Sequence, residues 1–331
     1  MRTAWVLILL AACGDDGGGG TVDAPPMAID ARPGGGGTWT TGTAVEGGAI
    51  QETVAVAVAG KIYVLGGFDG TQAIVDRVQV YDTATGMWSD GPKLPRELHH
   101  ANAATDGTTI YLLGALVTGS FTAIGDVYSL NPATDSDWAM LAAMPSGRER
   151  GAAVTDIIDG KIYVAGGFRN LQASDLVDVY DPVMNMWTPL AAMPATRDHA
   201  CGAAIGGKLI VAGGRTVQVN SPRPDVYSYD PVMNMWTTVA PMPTGRGGMG
   251  CGAIGGKLYT AGGEGNGAVA SGVFPDVEAY DPVANTWTEL SDMPNPKHGV
   301  GGAVWDGALY LCGGADEAGF GAIADTDVFR P

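Results

Sequence analysis

The sequence predicts an all-β fold, a β-propeller of six four-stranded blades, and two regularities carry that prediction. Tryptophan returns at Trp39, Trp88, Trp138, Trp187, Trp236 and Trp287, spaced 49, 50, 49, 49 and 51 residues apart. Between successive tryptophans an apolar run ends in a glycine pair: GKIYVLGG at 60–67, GKIYVAGG at 160–167, GKLIVAGG at 207–214 and GKLYTAGG at 256–263, with weaker copies at 109–115 and 308–314. Self-similarity at this period, with no helical periodicity, is the mark of radial β repeats. Residues 38–331 number 294, six times 49, so the repeats are expected to fill the chain beyond residue 37.

Each element of a blade has its own signal. The first strand is a small, Ala/Gly/Val-rich run such as GAAVTDII at 151–158, closed by a two-residue turn such as Asp159-Gly160 or Gly206-Gly207 that supplies the positive φ of a tight hairpin. The second is continuously apolar, as at Ile162-Tyr163-Val164, which suits a strand covered on both faces. The third ends in Tyr-Asp-Pro, at Tyr180-Asp181-Pro182, Tyr229-Asp230-Pro231 and Tyr280-Asp281-Pro282. The fourth carries the tryptophan and is expected to stop at Pro95, Pro145, Pro194, Pro243 or Pro294, because proline removes a ladder donor. The last repeat ends at Phe329-Arg330-Pro331 without a tryptophan strand, while TWTTG at 38–42 has a tryptophan with no strands before it. The N-terminal strand is therefore expected to complete the last blade and close the ring.

The N-terminus reads differently. Residues 1–12 hold one charge, Arg2, and an apolar run from Trp5 to Leu10. Residues 4–12 would span roughly 14 Å as a helix, too short to cross a membrane, so the segment reads as an export signal. Leu10-Ala11-Ala12-Cys13 resembles a bacterial lipobox, with Cys13 as the lipidated residue. Residues 13–37, rich in Gly, Asp and Pro, have too little apolar surface to fold and read as a flexible tether. The expected location is the bacterial cell envelope, lipid-anchored in the outer membrane on its periplasmic side or at the cell surface, with the lipid as the only membrane contact. Cys201, Cys251 and Cys312 suit neither a zinc site nor a disulfide framework by spacing and are expected to be buried free thiols. A net charge of −17, with 18 Lys and Arg, argues against nucleic acid as a partner. The chain is expected to be a monomer.

The glycine pair, Tyr-Asp-Pro, the following Trp and Met-Pro together resemble the kelch-repeat family over 38–331, which implies a six-bladed kelch propeller. The second blade departs from the pattern, with Gly114-Ala115 and Leu130-Asn131-Pro132, and reads as a looser blade rather than a different one. DPVMNMWT occurs verbatim at 181–188 and 230–237, consistent with an internal duplication. Ten residues past each Trp stand Ala49, Leu98, Arg148, Arg197, Arg246 and Lys297, in the connections to the next blade. The family resemblance implies that Arg148, Arg197, Arg246 and Lys297 line a pocket for an acidic ligand, with Arg169 and Arg215 on the same face, since Arg presents a planar fork to carboxylates. The competing reading pairs each cation with a carboxylate such as Glu149 or Asp198, stitching the ring. His99, His100, His199 and His298 also lie in these connections, where metal ligation competes with packing as their role; no metal or cofactor is expected. The sequence thus favours a non-catalytic protein- or glycan-binding module for an anionic ligand. The alternatives are a sugar-acting enzyme resembling a sialic acid mutarotase, with Glu149, Asp198 or His199 as acid-base groups, and a structural or adhesive surface protein.

Overall fold

The computed structural model describes residues 35–331; the expected export signal, Cys13 and most of the stretch read as a tether fall outside the described residues. Six four-stranded antiparallel sheets follow one another along the chain. Blade 1 is Val54–Val58, Lys61–Leu65, Val78–Asp82 and Met87–Asp90; blade 3 is Val154–Ile158, Lys161–Ala165, Val177–Asp181 and Met186–Pro189. Blades 4 and 5 repeat the plan from Cys201–Ile205 and Gly250–Ile254. The first strands of the blades touch in ring order and return from blade 6 to blade 1, so they line a central channel.

Ring closure is as expected. Thr38–Thr41 pairs antiparallel with Thr326–Arg330, setting Trp39 opposite Phe329. This is the register of Trp187 opposite Tyr180 in blade 3.

The tryptophans tie blade to blade. Each indole N–H donates to a carbonyl in the connection behind the preceding blade's outer strand: Trp187 to Ala142 O and Trp236 to Ala191 O at 2.9 Å, and Trp39 to Ser291 O at 3.1 Å across the closure. Tyr180, Tyr229 and Tyr280 stack on the following tryptophan and donate their hydroxyls to Asn185, Asn234 and Asn285. Between blades the second and third strands pack into continuous apolar layers, as Tyr63, Leu65 and Val80 of blade 1 do against Leu112, Ala115 and Tyr128 of blade 2. Each fully buried Leu or Ile there contributes about 1.5–3 kcal/mol.

Three local expectations need correction. The outer strands end at Asp90, Met140, Pro189, Val239 and Glu289, several residues before the prolines meant to stop them. What ends them is the inward turn that buries Leu94, Met144, Met193, Met242 and Met293, the residue before each proline. Blade 2 is not simply a looser copy: its middle strands, Ile110–Val117 and Thr122–Leu130, are long and run on through the loop, with a register shift between Ile124 and Val127. Finally, Cys201 and Cys251 are joined in a disulfide, with Cα atoms 6.1 Å apart. The two cysteines lie 50 residues apart in sequence but on the channel strands of adjacent blades, a proximity that local spacing cannot reveal. Cys312 is a buried free thiol, as expected, and burial pushes it up to about 12.

Candidate functional site at the channel mouth

The loops joining second to third strands and the connections between blades meet on one face. The first question there is where the predicted cations go. Lys297 pairs with Asp327 at 2.7 Å, Arg246 with Glu278 at 2.9 Å and Arg197 with Asp225 at 2.6 Å. Both members of the first two pairs are fully buried. Arg148 bonds Asp178 at 2.5 Å and is about one-fifth exposed; Arg169 lies 3.9 Å from Glu149 and is one-quarter exposed. Arg215 is held between Asp198 and Glu264. An arc of free arginines is therefore not what the fold builds: Arg246 and Lys297 offer no surface, and Arg197 next to none. The carboxylate partners of Arg148, Arg197, Arg246 and Lys297 lie in or directly before third strands, whereas Arg169 and Arg215 do meet Glu149 and Asp198, the carboxylates of the ring-stitching alternative.

The equivalent position in each connection is not always ten residues past the tryptophan. The second glycine of each pair donates its N–H to a carbonyl in the next connection: Gly67 to Leu98, Gly167 to Arg197, Gly214 to Arg246, Gly263 to Lys297 and Gly314 to Ile50, at 2.8–2.9 Å. In the connection to blade 3 the corresponding carbonyl is that of Arg150, against which a Cβ on Gly114 would lie 2.8 Å away. Arg150, not Arg148, is thus the counterpart of Arg197. It is fully buried against Asp178 at 2.8 Å, and burial lowers its guanidinium to about 10 against the pull of that carboxylate. These residues clamp the blades, and the glycine pairs make room for the clamp.

Two residues further on the chain reaches the channel. Glu52, His100, Ala152, His199, Gly248 and Gly299 all have left-handed backbones, with φ between 49° and 67°. Each donates its N–H to the carbonyl of the preceding member, so that six backbone hydrogen bonds of 2.6–3.2 Å close a circle around the mouth. Left-handed φ favours glycine, and blades 4 and 5 supply Gly248 and Gly299; Glu52, His100 and His199 occupy it with large side chains at some cost. Such placement marks these side chains as functional candidates.

Around them the polar groups converge. His100 Nε2 lies 3.0 Å from Glu52 Oε2, His199 Nδ1 lies 2.6 Å from Asp198 Oδ1, and His298 Nδ1 faces Glu52 and Glu264 at 3.7 and 3.6 Å. Burial pushes the Glu52 carboxyl up, but His100, His199 and His298 outweigh it and hold Glu52 well below the usual range. Burial pulls the His199 imidazole down, and Arg215 adds to this against Asp198. The ring borders a cavity of about 130 Å³ lined by Glu52, His100, His199, Gly248 and Gly299. Beside it the loops assemble an aromatic cluster: Phe68 against His99 at 4.3 Å and Phe320 at 5.3 Å, and Phe121 against His99, His100 and Phe168. Phe320, Leu171 and Val269 are the large apolar residues most exposed on these loops.

A closed propeller with glycine-pair, Tyr-Asp-Pro and tryptophan landmarks defines a class, and comparison with known proteins agrees. Residues 191–331 match the KLHDC2/KLHL20/DRC7 Kelch-repeats domain, and residues 52–95 and 149–194 match the Kelch motif. The chain is similar to Kelch-like protein terF of Aspergillus terreus, 35% identical over 85% of this chain and 64% of terF. It is also similar to mouse Kelch-like protein 35, at 28% identity over 94% of this chain and 49% of that protein. The chain thus spans less than two thirds of the length of these relatives. Among solved structures, that of YjhT superimposes with a TM-score of 0.71 over 84% of this chain and 94% of its own, at 18% identity, a likeness of fold. The protein is a kelch-repeat β-propeller.

Proposed function

We propose that this propeller is a non-catalytic binding module whose loop face receives a protein or glycan, held at the bacterial envelope by a lipid on Cys13. The observation that supports it is the mouth: a ring of fixed polar groups bordered by Phe68, Phe121 and Phe320, the composition of a recognition site that fixes one end of a ligand and packs the rest. An anionic group on the ligand would meet Arg169 and Arg148, which keep exposed edges, and then Arg215 at the mouth. Full ion pairing of Arg197, Arg246 and Lys297 leaves those three to orient the connections that carry the site. Glycan and peptide arrays probed with the purified protein test the reading. Hits that weaken at least about ten-fold in Phe320→Asp and Arg169→Glu agree with it, whereas hits indifferent to both remove the site. Acyl-lipid labelling that persists in Cys13→Ser removes the anchor.

A second reading, a sugar mutarotase, draws on one observation: Glu52 and His100 form a carboxylate–imidazole contact of 3.0 Å at the cavity wall, suited to moving a proton at an anomeric hydroxyl. NMR of sialic acid anomers decides it; exchange no faster than in buffer excludes that activity.

A further inference from the structure

We propose that the channel-mouth ring binds one divalent transition-metal ion of the zinc type, held by Glu52, His100 and His199, with His298 as a fourth donor. This goes beyond the binding-module reading and does not depend on it.

Hydrogen-bond partners fix where the imidazole protons are. His99 Nε2 lies 3.2 Å from the carbonyl of Thr118, which only accepts, so that nitrogen carries hydrogen. In the neutral ring His99 Nδ1 must then accept, and the proton in its 2.5 Å contact with His100 Nδ1 belongs to His100. His100 Nε2 is left with a lone pair, aimed at the carboxylate of Glu52 at 3.0 Å. His199 donates from Nδ1 to Asp198, so its Nε2 also carries a lone pair. His298 donates from Nε2 to the carbonyl of Glu317 at 2.8 Å, and its Nδ1 is fully buried with no hydrogen-bond partner. Three imidazoles are thus anchored outward by N–H bonds and present lone pairs inward, toward a carboxylate. Histidines that ligate metals are anchored in this way. Lone pair facing lone pair is repulsive unless a proton or a cation lies between.

The dimensions and charge suit an ion. Donor atoms of Glu52, His100 and His199 lie within 4.8 Å of one another, and His298 Nδ1 is 3.7 Å from Glu52. Donors about 2.0–2.2 Å from zinc stand roughly 3.3–3.6 Å apart, so a small contraction completes the site. Two imidazoles and a carboxylate are borderline ligands of the kind zinc takes. Glycine keeps the space open: a Cβ on Gly299 would come within 2.7 Å of Glu52, and one on Gly248 within 3.5 Å of His298 Nδ1. Glu52, Glu264 and Asp198 against Arg215 leave two net negative charges when the histidines are neutral. Arg215 is the group that opposes the ion, since its Nη2 lies 3.0 Å from His199 Nε2. It can yield that contact while keeping Asp198 and Glu264.

The test is calorimetric titration of the chelator-stripped full-length protein with Zn²⁺ alone. The expected result is one ion per chain, with affinity reduced at least about ten-fold in Glu52→Gln and in His199→Ala. Because the chain's four histidines are His99, His100, His199 and His298, paramagnetic shifts of histidine ring signals on adding Co²⁺ report this site without any variant. Absence of stoichiometric binding, or binding that leaves the histidine signals unmoved, overturns the proposal. So does a metal-free protein in which NMR finds His100 and His298 protonated and Zn²⁺ fails to displace those protons.

Discussion

The buried pairs show what one residue does in this fold. Arg246 and Glu278 are both out of water, where burial lowers the guanidinium and raises the carboxyl, each against the pull of the other. Removing one partner strands the other. Arg246→Ala is expected to cost about 3–5 kcal/mol in denaturant unfolding, whereas Arg246→Leu combined with Glu278→Leu should restore much of the loss. Equal destabilisation in single and double variants would show that the arginine matters for more than its pair. Lys297 and Asp327 should behave alike. The sequence placed these cations correctly in the inter-blade connections, but their partners were not legible there. Whether a carboxylate on a third strand points at a given arginine depends on register, and blade 4 differs from its neighbours by carrying Tyr227 where blade 5 has Glu278, so that Arg197 turns to Asp225 instead. The channel ring was hidden for a related reason. Two residues past the clamp, the six positions hold Glu, His, Ala, His, Gly and Gly, and only the shared left-handed backbone makes them equivalent.

At the scale of elements, the closing strand is the piece most open to test. Trp39 packs on Phe329 with ring centroids 5.0 Å apart and bonds across the closure to Ser291, doing for blade 6 what Trp187 does for blade 3. Trp39→Ala should lower stability by up to about 3 kcal/mol, less than a fully buried tryptophan because the ring is part-exposed. Deleting residues 38–41 should cost more and leave the Thr326–Arg330 strand as an open edge, seen as self-association in sedimentation. A monomer of undiminished stability would contradict closure by this strand. This element was legible because both chain ends broke the repeat in complementary ways. Strand ends were less so: tertiary burial of the Leu or Met before each proline set them, and local proline chemistry did not.

For the whole molecule, the ring is held by indole bonds outside, ion pairs in the connections, and one covalent link on the channel between blades 4 and 5. In Cys13→Ser protein, thiol titration should find no fast-reacting group in the native state and one after denaturation, from Cys312, whose thiol burial raises to about 12. Two more should appear only after reduction. Three thiols without reductant would deny the Cys201–Cys251 link. Six blades also give the molecule two unlike ends. At one, the near-identical hairpins expose Val183, Val232 and Val283; at the other, the loops differ in length and chemistry around the polar mouth. On the proposed function, recognition belongs to the second. Hydrogen–deuterium exchange of the protein with and without its strongest array ligand tests this most directly. Protection is predicted in residues 68–75, 117–123, 168–174 and 315–322, with the 181–187 and 230–236 hairpins unchanged; protection confined to those hairpins would contradict it.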